Sequence, residues 1–318
     1  MSETTPTSIL GGAPPEFEGS WEKSGRSPAS AAILGFIIVG IVYVYAQGLV
    51  GFIILALEHS ESGGSNGSAK TVLDLLTAKA VATKNPIRYS VFISEFIFML
   101  IPTIWIIRRW HTKDFLRYIR FRRVPAVEIL LAVAASLFFF PASSAISDFF
   151  LRELNFPDFL MRINSELFTS YTSGEFIWVI LVVCVTPAIC EETLFRGYFQ
   201  RTLERTIGAK SILIGGILFG LYHMRPLNLV SLSILGIMIG FFFYRSKSLL
   251  PGMAAHFTNN FIAVLSVYKL PDGKPRIPFL SVNPPTIAVI AATIIAGVAI
   301  YLYYQTTKRG SDKPEPHY

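Results

Sequence analysis

Charge is what this chain has least of. Only 15% of its 318 residues are charged and 52% are hydrophobic, whereas an average soluble domain is about 25% charged. That imbalance excludes an ordinary soluble globule and points to an integral membrane protein. Cysteine is nearly missing too. Cys184 and Cys190 are the two present, six apart in one apolar run and so not on one helical face. Neither a disulfide nor a cysteine metal pair is favoured, and both read as small packing residues. Acidic residues number 21 against 28 basic ones, a net charge of +7. The basic residues sit in short loops beside apolar segments, where orientation signals are expected, so no nucleic-acid partner is needed to explain them. There is no internal repeat and no second soluble domain. No signal peptide is expected: the first apolar stretch, from about Ala31 to Leu57, is too long for a signal h-region and reads as an anchor.

What is present is a series of apolar segments. Length and apolarity predict an all-α polytopic membrane protein with about eight transmembrane helices enclosing a polar intramembrane cavity. The segments fall near 31–57, 89–107, 126–146, 175–205, 209–224, 227–245, 251–268 and 284–304. Residues 1–28, rich in Ser, Thr, Pro, Gly and Glu, read as a disordered cytoplasmic tail. Residues 29–124 hold the first helices and a basic loop, 125–270 a catalytic core, and 271–318 the last helix and a cytoplasmic tail. The Gly/Ser-rich stretch SGGSNGS marks a loop over 58–88, and the amphipathic, aromatic segment 147–174 suits the membrane interface. The basic run RRWHTKDFLRYIRFRR, 108–123, places its loop in the cytoplasm. An even number of spans then puts both termini there, with the bacterial plasma membrane as the expected location.

Three polar clusters interrupt the apolar pattern. Glu191, Glu192 and Arg196 end the fourth segment, Phe219 and His223 end the fifth, and His256 and Asn260 share the seventh. Ionisable groups at membrane depth are costly, about 2.5–3.5 kcal/mol each on insertion scales, so such residues mark function. Glu192 and Arg196, four apart, share a helical face and can pair. Glu191 lies about 100° around the helix with Phe195 as its i+4 neighbour, and is left free for chemistry. A Glu and a His can hold and deprotonate a water, while a His and an Asn can donate to the oxyanion formed on attack at a carbonyl. Glu191, His223 and His256 could instead hold a zinc ion with one open position. The residues alone leave that choice open.

The patterns E-E-x-x-F-R-G at 191–197, F-x-x-x-H at 219–223 and H-x-x-x-N at 256–260 resemble the three motifs of the CPBP family. These are the CAAX proteases and bacteriocin-processing enzymes, which include the Ras-converting CAAX endopeptidase. The resemblance spans roughly residues 125–270. It implies an intramembrane endopeptidase in which Glu191 and His223 activate water while His256 and Asn260 stabilise the oxyanion, with Glu192, Arg196 and Phe219 in support. Although the family is often labelled metalloprotease, a metal-independent glutamate mechanism is the preferred reading, with no cofactor; Zn2+ held by Glu191, His223 and His256 is its alternative. The expected partners are a membrane-associated protein or peptide substrate and the lipid bilayer.

Other signatures of intramembrane proteolysis (H-E-x-x-H, G-x-G-D, G-x-S-x-G) are missing, which disfavours site-2-type, aspartyl and serine chemistry. Two readings from other classes compete: a non-catalytic bacteriocin-immunity or scaffold protein, and a proton-coupled transporter with a Glu/His relay. The full set of motif residues argues against the first, and the lack of repeated halves against the second. Glu95, in SVFISEFIFML, is a further carboxylate at membrane depth and a functional candidate by default. Tyr222 and Asn259 adjoin motif residues but point elsewhere on their helices and read as packing, while His59, His111 and His317 read as solvated.

Overall fold

The computed structural model describes residues 17–61, 86–153, 167–269, 274, 276–277 and 284–311. Of the expected features, the tail over 1–16, the loop over 62–85 and the interfacial segment over 154–166 lie outside them. The described residues form no strand; Ser170 and Tyr268 make an isolated bridge. We number the helices α1 (Ser20–Lys23), α2 (Pro28–Glu61), α3, α4 (Phe115–Tyr118), α5 (Ala126–Glu153), α6 (Ser173–Ile207), α7 (Lys210–Tyr222), α8 (Leu229–Ser246), α9 (Leu250–Ser266) and α10 (Thr286–Ser311). Helix α3 runs from Pro86 to His111 and turns π-helical at Glu95–Leu100 and Ile107–His111.

Among the described residues six helices are long and apolar enough to cross a membrane: α2, α3, α5, α6, α8 and α10. Helices stand at all eight expected segments, but α7 has 13 residues and α9 has 17. At about 1.5 Å per residue, α7 reaches roughly 20 Å, short of a hydrocarbon core of about 30 Å. The outer helices turn their apolar side chains outward. In the Pro28–Ile54 span only 11% of the most apolar window is buried, and Ile33, Ile37, Ile41, Ile290 and Ile294 are exposed. In water that surface would be a liability; in lipid it is the solvent-facing side. This is an integral membrane protein.

Small residues and polar cross-links hold the bundle, because apolar burial gives helices little reason to associate within lipid. Helices α7 and α8 form a tight hairpin. A Cβ at Gly236 would stand 2.8 Å from the Gly216 carbonyl oxygen, so the close approach requires glycine there. The Ser136 hydroxyl donates to the Ala255 carbonyl at 2.7 Å, joining α5 to α9. Gln200 Nε2 donates to the Gly240 carbonyl at 2.9 Å, joining α6 to α8, and Tyr303 ties α10 to the Phe242 carbonyl at 3.0 Å.

Two expectations are corrected at the end of the bundle that carries the basic run. Phe17–Ser27, expected within a disordered tail, pack onto the protein. Trp21 lies 5.0 Å from Trp110 between ring centroids, the Arg205 guanidinium sits 4.3 Å from the Phe17 ring, and Gly19 N donates to the His111 carbonyl at 2.8 Å. Aromatic burial and an ion pair outweigh the polar composition of this segment. His111, expected to be solvated, is fully buried and bonded to Glu22 Oε1 at 2.5 Å. Nor is the basic run a free charged loop: Arg120 pairs with Glu204 at 2.8 Å and Arg122 Nε donates to the Lys247 carbonyl at 2.6 Å.

Candidate active site

Helix α6 supplies the carboxylates. Thr172 caps its start by accepting from Glu175 N at 3.2 Å. The helix is π-helical at Ile180–Val185 and again at Thr193–Gln200, on either side of the segment Thr186–Glu192. Such widened turns shift the side chains that follow and are frequent at functional sites. Within that segment Pro187 has no N–H to offer the carbonyl four residues earlier, Val183. Asn260 Nδ2, from α9, donates to that carbonyl at 2.8 Å.

Glu192 is fully buried and fixes three elements. Its Oε1 accepts from Arg196 Nη1 at 2.7 Å and lies 2.8 Å from His256 Nδ1. Arg196 also donates to the Gly236 carbonyl at 3.0 Å, and its guanidinium lies 4.5 Å from the Phe219 ring centre. Phe219 is thus a platform shared by three motif groups. It meets His223 edge-on at 4.6 Å and His256 edge-on at 5.4 Å. The pairing expected between Glu192 and Arg196 is present, with His256 added to it.

Glu191 stands apart. Its Oε2 lies 3.8 Å from His223 Nε2 and 4.0 Å from His256 Nε2, too far for direct hydrogen bonds. The other ring nitrogens fix the tautomers, inferred from the bonding network. His223 Nδ1 lies 2.7 Å from the Phe219 carbonyl, which only accepts, so Nδ1 carries the proton. His256 Nδ1 donates to the Glu192 carboxylate. Both Nε2 atoms therefore face the free oxygen of Glu191 at more than hydrogen-bond distance. A water among them supplies two hydrogens to three acceptors, and protonation of one imidazole supplies the third.

The same geometry tests a metal. Two ligands of one tetrahedral zinc, at about 2.0–2.1 Å from it, stand roughly 3.3 Å apart, and the gaps here are 3.8 and 4.0 Å. Among the described residues no group of three His, Cys, Asp or Glu has metal-holding geometry. As placed, the three groups stand wider than two ligands of one zinc and closer than the roughly 4.5 Å between two atoms bridged by a water about 2.8 Å from each.

A cavity of about 420 Å³ opens beside these groups, lined by Glu191, His223 and Asn260 and also by Glu95, Tyr222 and Asn259. His256, 1% exposed, is adjacent to this lining, with its Nε2 4.0 Å from Glu191 Oε2. Tyr222 and Asn259, read from sequence as packing residues, line the cavity. Asn259 Nδ2 donates to Asn260 Oδ1 at 3.3 Å, which fixes the flip of that amide. Tyr222 stacks on Tyr43 with centroids 5.7 Å apart and leaves its hydroxyl without a partner. Arg225 also lines the cavity, placed by a reversal at Met224, whose φ is +48°. The signal for Asn259 was the Asn doublet itself; Tyr222 and Arg225 carried none.

Over residues 173–262 the chain matches the family model described as Type II CAAX prenyl endopeptidase Rce1-like. All three motifs lie inside that range, so the resemblance to the CAAX proteases is shown for the segment that carries them. No curated protein and no solved structure compared with the chain matches it.

Proposed function

We propose that this protein is an intramembrane endopeptidase that cleaves a peptide bond of a membrane-associated protein or peptide, with Glu191, His223, His256 and Asn260 as its catalytic residues. One observation carries the reading most: two imidazole Nε2 atoms face the unbonded oxygen of one buried carboxylate, 3.8 and 4.0 Å away. These are the base and the two imidazoles that would orient an attacking water. The family match at residues 173–262 supports proteolysis as the chemistry.

The steps follow from the bonding. Glu191, with His223 beside it, holds a water and takes its proton as the oxygen attacks the scissile carbonyl. The carbonyl oxygen becomes an oxyanion. Asn260 has one amide hydrogen committed to Val183 and one to spare. His256, oriented through Nδ1 by the Glu192 carboxylate, supplies the second donor from Nε2 once that nitrogen carries a proton. The intermediate collapses, the C–N bond breaks, and Glu191 returns its proton to the leaving amine. No step requires a metal. The cavity beside Glu191 would lie within the bilayer, with α7 and α9 completing eight helices around it. Six or eight spans are both even, so the termini share the side of the basic run 108–123, the cytoplasm by the charge rule.

The test is proteolysis by purified protein in liposomes, using a lipid-anchored peptide. Wild type should cleave it and Glu191→Gln should not. Equal cleavage by both would end the proposal, and loss of wild-type activity on chelation, restored by zinc, would replace the metal-free mechanism.

A further inference from the structure

Four buried polar atoms without a hydrogen-bond partner line the one cavity: Glu95 Oε2, Glu191 Oε2, Tyr222 Oη and Asn259 Oδ1. Buried polar groups in folded proteins are nearly always bonded, so their concentration here marks a polar ligand. Glu191 and Asn259 already belong to the proposed site. Glu95 does not. It is 2% exposed and opens the π-helical stretch of α3, which packs against the Thr186–Glu192 segment of α6.

The titratable groups facing Glu95 are Tyr43 from α2, Cys190 and Glu191 from α6, and Tyr222 from α7. None of them is a cation, and among the described residues Glu95 has no ion-pair partner. Three carboxyl groups, Glu95, Asp148 and Glu191, line this cavity with the Arg225 guanidinium, and carboxyls sharing one low-dielectric site do not all ionise cheaply. Glu95 is buried with no cation beside it, and a carboxyl so placed is cheaper neutral than charged.

We infer that Glu95 is a second functional carboxyl of this cavity, a neutral acid whose O–H donates to a backbone carbonyl of the peptide bound beside Glu191. It thereby positions substrate beside Glu191. The identity of the acceptor rests on the endopeptidase reading; the neutral acid does not.

Infrared difference spectra of the reconstituted protein at neutral pH test the acid directly, since a protonated carboxyl has a carbonyl stretch that a carboxylate lacks. The band should be present in wild type and in Glu191→Gln and vanish in Glu95→Gln. Its absence from wild type, or its survival in Glu95→Gln, overturns the inference. Kinetics test the donor. Glu95→Gln keeps an N–H donor and should stay within about threefold of wild type, while Glu95→Ala should raise KM about tenfold, as loss of one hydrogen bond does, with kcat little changed. A Glu95→Gln enzyme as inactive as Glu191→Gln would show that a charged carboxylate is needed, and overturns the inference as well. If the band behaves as expected but wild type cleaves no peptide, the acid stands and the endopeptidase reading falls.

Discussion

Two sets of buried carboxylates in this protein have opposite surroundings. Glu204 accepts from Arg120 at 2.8 and 3.0 Å and from Lys247 at 2.6 Å. Glu22 accepts from Arg205 at 2.6 and 2.9 Å and is bonded to His111. Glu191 has its nearest bases at 3.8 and 4.0 Å, and Glu95 has none. The first set spends its bonding capacity on the fold, tying α3, α6, the turns that follow α4 and α8, and the N-terminal segment together. The second keeps its capacity unused, at a desolvation cost that a purely structural role would not repay. Among these four carboxylates, saturation therefore separates those that tie the fold from those that line the cavity, whereas burial does not.

The sharpest break of that contrast is Glu191→Gln. It removes a base from an unsaturated site, so cleavage should fall by about 10²–10⁴-fold or more while the thermal midpoint in detergent holds. A large loss of stability instead would move Glu191 into the structural set. Glu192→Ala should strike both properties. It strands the Arg196 guanidinium in the core and frees His256, so stability should fall by about 3–5 kcal/mol, with cleavage lost too. Glu204→Ala is its counterpart at the saturated end: a drop of about 3 kcal/mol in unfolding free energy, with kcat per folded molecule unchanged. Asn259→Ala sits between the sets. It releases the flip of Asn260, and should lower kcat about tenfold, the worth of one misplaced donor, without moving KM.

The contrast was only half legible in the sequence. Glu192 and Arg196 could be paired from their spacing because i,i+4 geometry is local and fixed. The apolar segments could be counted for the same reason, and the fifth, near 209–224, was already shorter than the roughly 20 residues of a full crossing. The second partner of Glu192 was not legible: His256 is 64 residues away, and no local rule reaches that far. Nor were Tyr222 and Asn259. Helical angles say where a Cβ points, and they do not say how far a phenol or amide reaches into a cavity whose walls come from other helices. The docked N-terminal segment failed for a related reason. Its composition is that of a solvated tail, and its anchors, Trp110, His111 and Arg205, lie on α3 and α6.

That docked segment offers the mildest test of the contrast, and one with a definite sign. Burial raises the Glu22 carboxyl, but hydrogen bonds from Arg205 and His111 outweigh it and hold the group at about 2, against 4.5 for an unperturbed glutamate. A carboxyl depressed by folding stabilises the folded state wherever the unfolded chain is already ionised, and loses that contribution as it protonates. The stabilisation should therefore be complete above about pH 5, decline as pH falls from about 4.5 towards 2, and be gone below. Because Glu22 sits at the edge of the protein, solvent screening reduces its worth to about 1–2 kcal/mol. The difference in thermal midpoint between wild type and Glu22→Gln should follow that curve, widest near neutrality and closing near pH 2. A difference independent of pH would mean that the segment is held by its aromatic contacts, Trp21 on Trp110 and Phe17 under Arg205, with the ion pair contributing nothing.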